Sequence, residues 1–159
     1  MNQLVSKYVE QFLSRLEPTQ LAAGLTQELR KSAFAFARDE CGQAILWHRG
    51  MILQYILDEL RGFGPLERLL QDKEIQEIHV YSAERILVRK THTTLLTQAS
   101  FTFLGSSQYD RVLQRLLTAK DELGNITLID GTRFNIEFTN ERANAPHFKI
   151  HKILNDPIY

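Results

Sequence analysis

The sequence predicts an α+β protein, in which an N-terminal helical bundle precedes an antiparallel sheet with a helix packed on one face. In the first sixty of the 159 residues, apolar side chains recur every three or four positions, which is the period of a helix. From about residue 78 the period falls to two, which is typical of a strand. Glycine and proline cluster at residues 62–65 between these parts. We therefore expect a helical extension over residues 1–61 and a second domain over residues 62–159.

Three helices are expected in the extension. The first ends before Pro18, because proline has no backbone N–H and restricts the residue before it. The second covers residues 19–41 and the third residues 43–61, and three amphipathic helices with short connections can bury their apolar stripes in a small bundle. The second helix has the apolar residues Leu21, Leu25, Leu29, Phe34, Phe36 and Ala37. The third has Ile45, His48, Ile52, Tyr55, Ile56 and Leu60 on its buried side.

The segment 62–70 is interpreted as a rigid elbow and as a candidate interface or hinge. Gly62 can take the left-handed conformation that ends the third helix. Gly64 precedes a proline and is expected to be extended, while Pro65 suits the first turn of a new short helix. Leucines at 66, 69 and 70 then share one face of that turn.

Beyond the elbow, alternation predicts the strands. Ile78 and Val80 alternate with polar residues, Ile86 and Val88 follow after a short turn, and residues 93–103 supply a further strand. A capping box at Ser107 and Asp110 is expected to open a helix. The apolar side of this helix has the residues Tyr109, Val112, Leu113, Leu116 and Leu117.

The last third of the chain contains a hairpin signal. Asp130-Gly131 lies between alternating segments, which favours a two-residue type I′ turn in which both residues have positive φ. The inward-facing residues of the strands that follow are expected to be Phe134, Ile136, Phe138, Phe148 and Ile150.

Composition excludes several classes of protein. Nineteen basic and nineteen acidic residues give zero net charge, which argues against a nucleic-acid binder. No apolar run approaches the roughly 20 residues that cross a bilayer, and no signal peptide is recognisable. Cys41 is the single cysteine, so no intrachain disulfide can form. We therefore expect a soluble, cytoplasmic protein with Cys41 as a small packed residue.

Motifs for chemistry are mostly lacking. No glycine is followed by lysine, as a P-loop requires, and no histidine is followed by glutamate, as a helical zinc-protease motif requires. His147 and His151 are expected on a solvated strand face rather than in a metal site, and the Asp121-Glu122 pair on a solvated corner. We assign no catalytic residue and no metal site to the chain.

One stretch resembles a known family. It reads Gly62-Phe63-Gly64-Pro65-Leu66-Glu67-Arg68-Leu69-Leu70-Gln71-Asp72 and is followed by Glu77-Ile78-His79-Val80, Ile86-Leu87-Val88, Asp130-Gly131-Thr132-Arg133 and Ile150-His151-Lys152. This pattern is similar to the N-terminal domain of the type II/type IV secretion and pilus-assembly ATPases, in particular the CpaF-type motors of tight-adherence (Flp) pili. The likeness covers about residues 52–156. It departs from the family at Thr127 and His151, where the family has arginine, and at Tyr81-Ser82, where it has Asn-Gly.

The resemblance implies a PAS-like domain that precedes a RecA-like motor carrying the P-loop. It implies six subunits in a ring and ATP with Mg²⁺ in the cleft between the two domains, with no cofactor in this chain alone. Arg133 is then a candidate nucleotide contact, the alternative being an exposed strand arginine that pairs with an acid. Implied partners are the chain's own motor domain, neighbouring subunits and inner-membrane secretion or pilus platform proteins, which places the assembly in the cytoplasm at the inner-membrane face.

The leading hypothesis is a non-catalytic oligomerisation domain that forms a lid over the nucleotide cleft of a hexameric secretion ATPase. Since the sequence stops about where a linker to the motor would begin, we expect a truncation rather than a natural end. One alternative is a standalone PAS-like adaptor that docks on a secretion motor. Another is a small-ligand sensor, which would need an apolar pocket between sheet and helix.

Overall fold

The computed structural model describes residues 3–41, 46–128, 131–139 and 146–153. It confirms the α+β fold, with helices followed by a six-stranded antiparallel sheet and a helix packed against it. The chain forms two compact units, residues 1–67 and 68–159. Their division falls inside the short helix that follows the elbow. No helix in the described ranges is long and apolar enough to cross a membrane.

The helical unit is built around its last long helix. Its elements are α1 (Gln3–Leu13), α2 (Pro18–Ala22), α3 (Gln27–Asp39) and α4 (Leu46–Arg61), followed by α5 (Leu66–Gln71) at the division. Both α1 and α3 pack against α4. The ring of Phe36 lies 5.2 Å from that of Phe12 and 6.3 Å from that of Tyr8. On α4 the predicted residues Ile52, Tyr55, Ile56 and Leu60 are buried, as the helical period requires.

The single helix predicted over residues 19–41 is wrong, because the chain forms two helices there. Gly24 has φ of +78°, which no helix accommodates. The hydroxyl of Thr26 then starts α3 as its N-cap by accepting a hydrogen bond of 3.1 Å from Leu29 N. Phe34 is half exposed instead of buried. Gln43 and Ile45, expected in the third helix, lie outside the described residues.

The elbow interrupts the helical path as predicted, with one difference. Gly62 has the expected positive φ, +130°, but Gly64 also has positive φ, +55°, and is not extended. The chain forms a tight turn here, in which the Gly62 and Gly64 amides both donate hydrogen bonds to the carbonyl of Asp58. Pro65 immediately precedes α5. The leucines at 66, 69 and 70 are buried, so the short helix has the apolar face that its sequence indicates.

The second unit is a sheet with one helix. The strands are β1 (Ile75–Val80), β2 (Ile86–Lys90), β3 (Leu96–Gln98), β4 (Asn125–Thr127), β5 (Arg133–Phe138) and β6 (Phe148–Ile153), and α6 is Ser106–Ala119. Their order across the sheet is β3-β2-β1-β6-β5-β4, with every neighbouring pair antiparallel. The predicted β1–β2 hairpin is confirmed. The strand predicted over residues 93–103 is only the short β3.

The register of the strands places the buried apolar residues on one face of the sheet. Ile78 lies opposite Val88 on one side and Ile150 on the other, and Ile150 lies opposite Ile136. All four are buried. The helix α6 covers this apolar face, where the Tyr109 ring is 6.3 Å from the Phe148 ring. Because successive side chains of a strand point to opposite faces, the residues between these positions form the other face.

The start of α6 differs from the predicted capping box. Gly105 is the N-cap and no side chain caps it. Instead, the side-chain oxygen of Gln108 accepts a hydrogen bond of 2.8 Å from the amide of Leu104. The buried row of α6 is accordingly Gln108, Val112 and Leu116, spaced by four residues, and Leu117 is exposed.

The β4–β5 hairpin has a longer turn than predicted. Leu128 N donates to Thr132 O, so three residues lie between these two, rather than the two residues of a type I′ turn. Gly131 has φ of +90° and its amide donates to the carbonyl of Leu128. This glycine fits the left-handed position of a three-residue hairpin loop. Asp130 lies outside the described residues.

Candidate functional site

The face of the sheet opposite α6 is lined with polar and charged side chains. They lie at alternate positions of five strands, between the buried residues of the apolar face. We call this surface the polar face, and it comprises Glu77, His79, Arg89, Thr127, Arg133, Asn135, Glu137, Lys149 and His151. Titratable groups on rigid strands, with their backbones held in register, are positioned well for binding.

Arg133 is exposed at the start of β5, directly after the hairpin turn. Its cross-strand neighbours are Thr127 on β4 and Ile153 on β6, neither of which is charged. No carboxylate therefore lies opposite Arg133 on either neighbouring strand. A guanidinium offers a planar fork of N–H donors that fits the oxygens of a phosphate or carboxylate.

The sheet brings together the three positions where the family resemblance pointed to cationic side chains. Thr127 lies directly opposite Arg133. His151 lies opposite Asn135 and is thus the diagonal neighbour of Arg133, a relation that separates side-chain positions by about 7–8 Å. The His151 side chain is 56% exposed. Arg133 and His151 are therefore near neighbours on the same face of the sheet.

We call Thr127, Arg133 and His151 the patch. Glu77 is the centre of a charged cluster next to it. The Nε of Arg89 donates to Glu77 Oε2, and Glu77 Oε1 lies 3.5 Å from His151 Nδ1. Burial alone would raise the pKa of Glu77. The hydrogen bond and charge of Arg89, together with His151, outweigh that effect and lower the pKa below its ordinary value. Glu77 is therefore ionised at neutral pH.

His79 also faces Glu77 but is more enclosed. Its Nε2 lies 3.7 Å from Glu77 Oε1, beyond hydrogen-bond distance, and only 12% of its side chain is exposed. Burial lowers the pKa of His79, and the opposing attraction of Glu77 does not restore it. This Nε2 is buried and has no hydrogen-bond partner within the described ranges. The ring is accordingly neutral at pH 7.

The remaining charges of the polar face balance each other. Glu137 on β5 lies directly opposite Lys149 on β6. Asn135 is occupied by its neighbours, since its amide donates to Leu123 O at 3.0 Å and to Asn125 Oδ1 at 3.1 Å. With Arg89 paired to Glu77, Arg133 is the cation of this face without an opposing carboxylate on an adjacent strand. The arrangement suits an anion.

Other candidates from the sequence have structural roles. His147 precedes β6, and its Nδ1 is hydrogen-bonded to the hydroxyl of Tyr109, whose ring stacks on it at 6.0 Å. Asp121 stabilises the loop that follows it, because its Oδ1 accepts hydrogen bonds from Leu123 N and Asn125 N. Cys41 is buried, and burial raises the pKa of its thiol. Within the described part of the chain, no group of three or more potential ligands could hold a metal ion.

Two of the sequence-predicted groups belong to different units. Gly62, Gly64 and Pro65 lie in the helical unit, whereas Arg133 lies in the sheet unit. The charged cluster of Glu77, His79 and Arg89 was not identified from the sequence. Its signal was the alternation of Glu77 and His79 with the buried residues Ile78 and Val80, but only the pairing of β1 with β2 and β6 adds Arg89 and His151.

No protein-family model matches the chain, and no curated protein matches it.

Proposed function

We propose that this chain is the non-catalytic N-terminal domain of a secretion or pilus-assembly ATPase of the CpaF type. In this proposal its polar face closes over the phosphates of a nucleotide bound by a RecA-like motor domain. The observation that supports it most is the exposed Arg133, which shares a patch with Thr127 and His151 on a sheet that follows the Gly-Phe-Gly-Pro elbow.

The physical basis is electrostatic. A guanidinium that approaches a phosphate group from a preorganised strand stabilises negative charge without the cost of ordering a loop. Arg133 is held by pairing on both sides, with Thr127 and Ile153 as its cross-strand neighbours. ATP and Mg²⁺ would be bound by the motor domain, so the chain itself supplies only the covering side of the cleft.

Motion is part of the proposal. Binding energy becomes movement when a lid closes on a ligand through a hinge. The hinge that we propose falls in residues 153–159, of which 154–159 lie outside the described residues. A ring of six subunits, contact with inner-membrane platform proteins and a position at the cytoplasmic side of that membrane complete the proposed assembly.

The gene gives the first test. Reading the DNA beyond codon 159 should reveal an open frame that encodes a Gly-Lys-Thr or Gly-Lys-Ser loop. The purified 159-residue chain should show no ATP turnover, whereas the longer product should hydrolyse ATP. A stop codon directly after Tyr159, or hydrolysis by the 159-residue chain, would contradict the proposal.

A matched pair of variants tests the role of Arg133. In the longer product, Arg133→Ala should lower kcat/KM for ATP by at least about tenfold, because a positioned donor to phosphate is lost. The control is Arg38→Ala, which removes another exposed arginine, one that pairs with its neighbour Asp39 on the helical unit. Equal activities of the two variants would exclude Arg133 as a nucleotide contact.

The sheet edge supports the adaptor as a second candidate. At β3, Leu95 is 71% exposed and Leu96 is 39% exposed. An exposed edge strand with apolar side chains is a ready site for an added strand of another protein. A natural stop after Tyr159, together with Leu96→Lys abolishing capture of a purified secretion motor, would favour the adaptor over the motor domain.

A further inference from the structure

We propose that anion binding on the polar face is linked to protonation of His151, which acts as a second cation beside Arg133 only after it takes up a proton. This inference rests on the proposed function, because it concerns the same patch. It adds a condition that the proposed function does not contain: the lid binds phosphate groups more tightly as the pH falls through the range in which histidine titrates.

The fixed cations of the polar face set the starting point. Arg89 is bound to Glu77, and Lys149 lies opposite Glu137. Each of these cations therefore has a carboxylate next to it at neutral pH. Arg133 has uncharged cross-strand neighbours, so within the described strands no carboxylate lies directly across from it.

His151 is placed to supply the second charge. It is directly opposite Glu77 on β1 and Asn135 on β5. Arg133 and Glu137 are its diagonal neighbours on β5, and Lys149 precedes it by two residues on its own strand. Its side chain is 56% exposed, so the ring can take a proton from solvent and also contact an anion that reaches Arg133.

Glu77 supports the charged form of His151. Its Oε1 is 3.5 Å from His151 Nδ1, while Oε2 is occupied by Arg89. Because Glu77 already neutralises Arg89, a proton on His151 adds a net positive charge to the patch. Glu77 holds the protonated ring in place without cancelling that charge.

His79 does not compete for this role. It faces the same carboxylate from two residues away on β1, but burial lowers its pKa and only 12% of its side chain is exposed. The flanking charges of Lys149 and Arg89 lower this pKa further. His79 is thus a natural control, since it shares Glu77 with His151 but cannot readily meet a ligand from solvent.

Linkage gives two expected effects. If the anion favours protonated His151, then protonation must favour the anion by the same factor. Binding should strengthen between pH 8 and pH 6, and bound anion should favour the protonated ring by the same factor. Neither effect is expected from a patch that binds through Arg133 alone, because arginine remains charged throughout this range.

The test uses the 159-residue chain and inorganic sulfate, which remains a dianion at both pH values. Sulfate is titrated at pH 6 and pH 8 with constant ionic strength, while NMR follows the backbone amides and the histidine rings. We expect signals of residues 133 and 151 to shift and the Kd to be lower at pH 6 by about fivefold or more. His151→Gln should abolish this ratio, and His79→Gln should preserve it.

Different outcomes overturn different statements. Sulfate binding at the patch with the same Kd at both pH values contradicts the proton linkage but leaves the proposed function standing. An unchanged pH ratio in His151→Gln, with a native amide spectrum, also overturns the linkage. If the amide of Arg133 does not respond to sulfate at either pH, both the linkage and the phosphate-binding role of this face are wrong.

Discussion

Replacing Gly124 with alanine should destabilise the sheet unit more than replacing any glycine of an open turn. Gly124 lies in the loop between α6 and β4 with φ of +83°. Its amide donates to Asp121 O at 3.1 Å and its carbonyl accepts from Ile136 N at 2.8 Å. An added Cβ would lie 2.6 Å from the carbonyl oxygen of Ile136, so the backbone of β5 would have to move.

Two costs combine in Gly124→Ala. The left-handed conformation costs a residue with a Cβ about 1–2 kcal/mol. Displacing β5 weakens the hydrogen bond from Ile136, a further loss of about 1 kcal/mol, and adds the strain of a close backbone contact. We expect a total of about 2–4 kcal/mol, or a Tm lower by about 5–15 °C for a chain of this size.

Gly131→Ala is the matched control. Gly131 also has positive φ, +90°, but an added Cβ there meets no atom within 4 Å. Only the conformational cost of about 1–2 kcal/mol should apply. Urea unfolding, followed by far-UV circular dichroism, measures the free energy of unfolding of both variants against the unaltered chain. If Gly124→Ala costs no more than Gly131→Ala, the close approach of the loop to β5 is incorrect.

Three further substitutions test the units separately. Burial lowers the pKa of Lys152 to about 8, so the folded chain releases this proton at a lower pH than the unfolded chain does. The free energy of unfolding should therefore rise between about pH 8 and pH 10.5, and Lys152→Met should remove that part of the rise in the urea midpoint. Thr26→Ala removes the N-cap of α3 and should cost about 1 kcal/mol in urea unfolding, whereas an unchanged midpoint would exclude the cap. Gly50→Ala should stabilise the chain by up to about 1 kcal/mol, since Gly50 is exposed within α4 with open space around it, and a lower Tm would contradict this.

The elements that the sequence predicted well are those with strong local signals. The apolar period of α4 identified Ile52, Tyr55, Ile56 and Leu60, all of them buried. The elbow followed from two glycines and a proline, whose backbone preferences act over a few residues. The β1–β2 hairpin followed from alternation on both sides of a short polar turn. In each case local chemistry and tertiary packing favour the same structure.

The helix predicted over residues 19–41 and the two-residue turn predicted at Asp130-Gly131 are wrong because a short local signal there fits more than one structure. Gly24 and Thr26 together mark the end of one helix and the start of the next, but the surrounding apolar residues suggested a continuous helix. At the β4–β5 turn, Asp-Gly fits both a two-residue and a three-residue loop, and the pairing of Leu128 with Thr132 decides between them.

The candidate site required information that one strand does not contain. Arg133 was identified through a resemblance, and it is exposed at the start of β5. The neighbours of Glu77 come from separate strands, so their proximity depends on register. A slip of one residue in β6 would move His151 to the opposite face and place it away from Glu77. Register is fixed by the whole sheet, which no local pattern reveals.

The most direct measurement is a structure of the full gene product with Mg²⁺ and a non-hydrolysable ATP analogue. We predict that the polar face covers the nucleotide and that the Arg133 guanidinium lies about 3 Å from a phosphate oxygen. A nucleotide bound elsewhere, with Arg133 in open solvent, would contradict it.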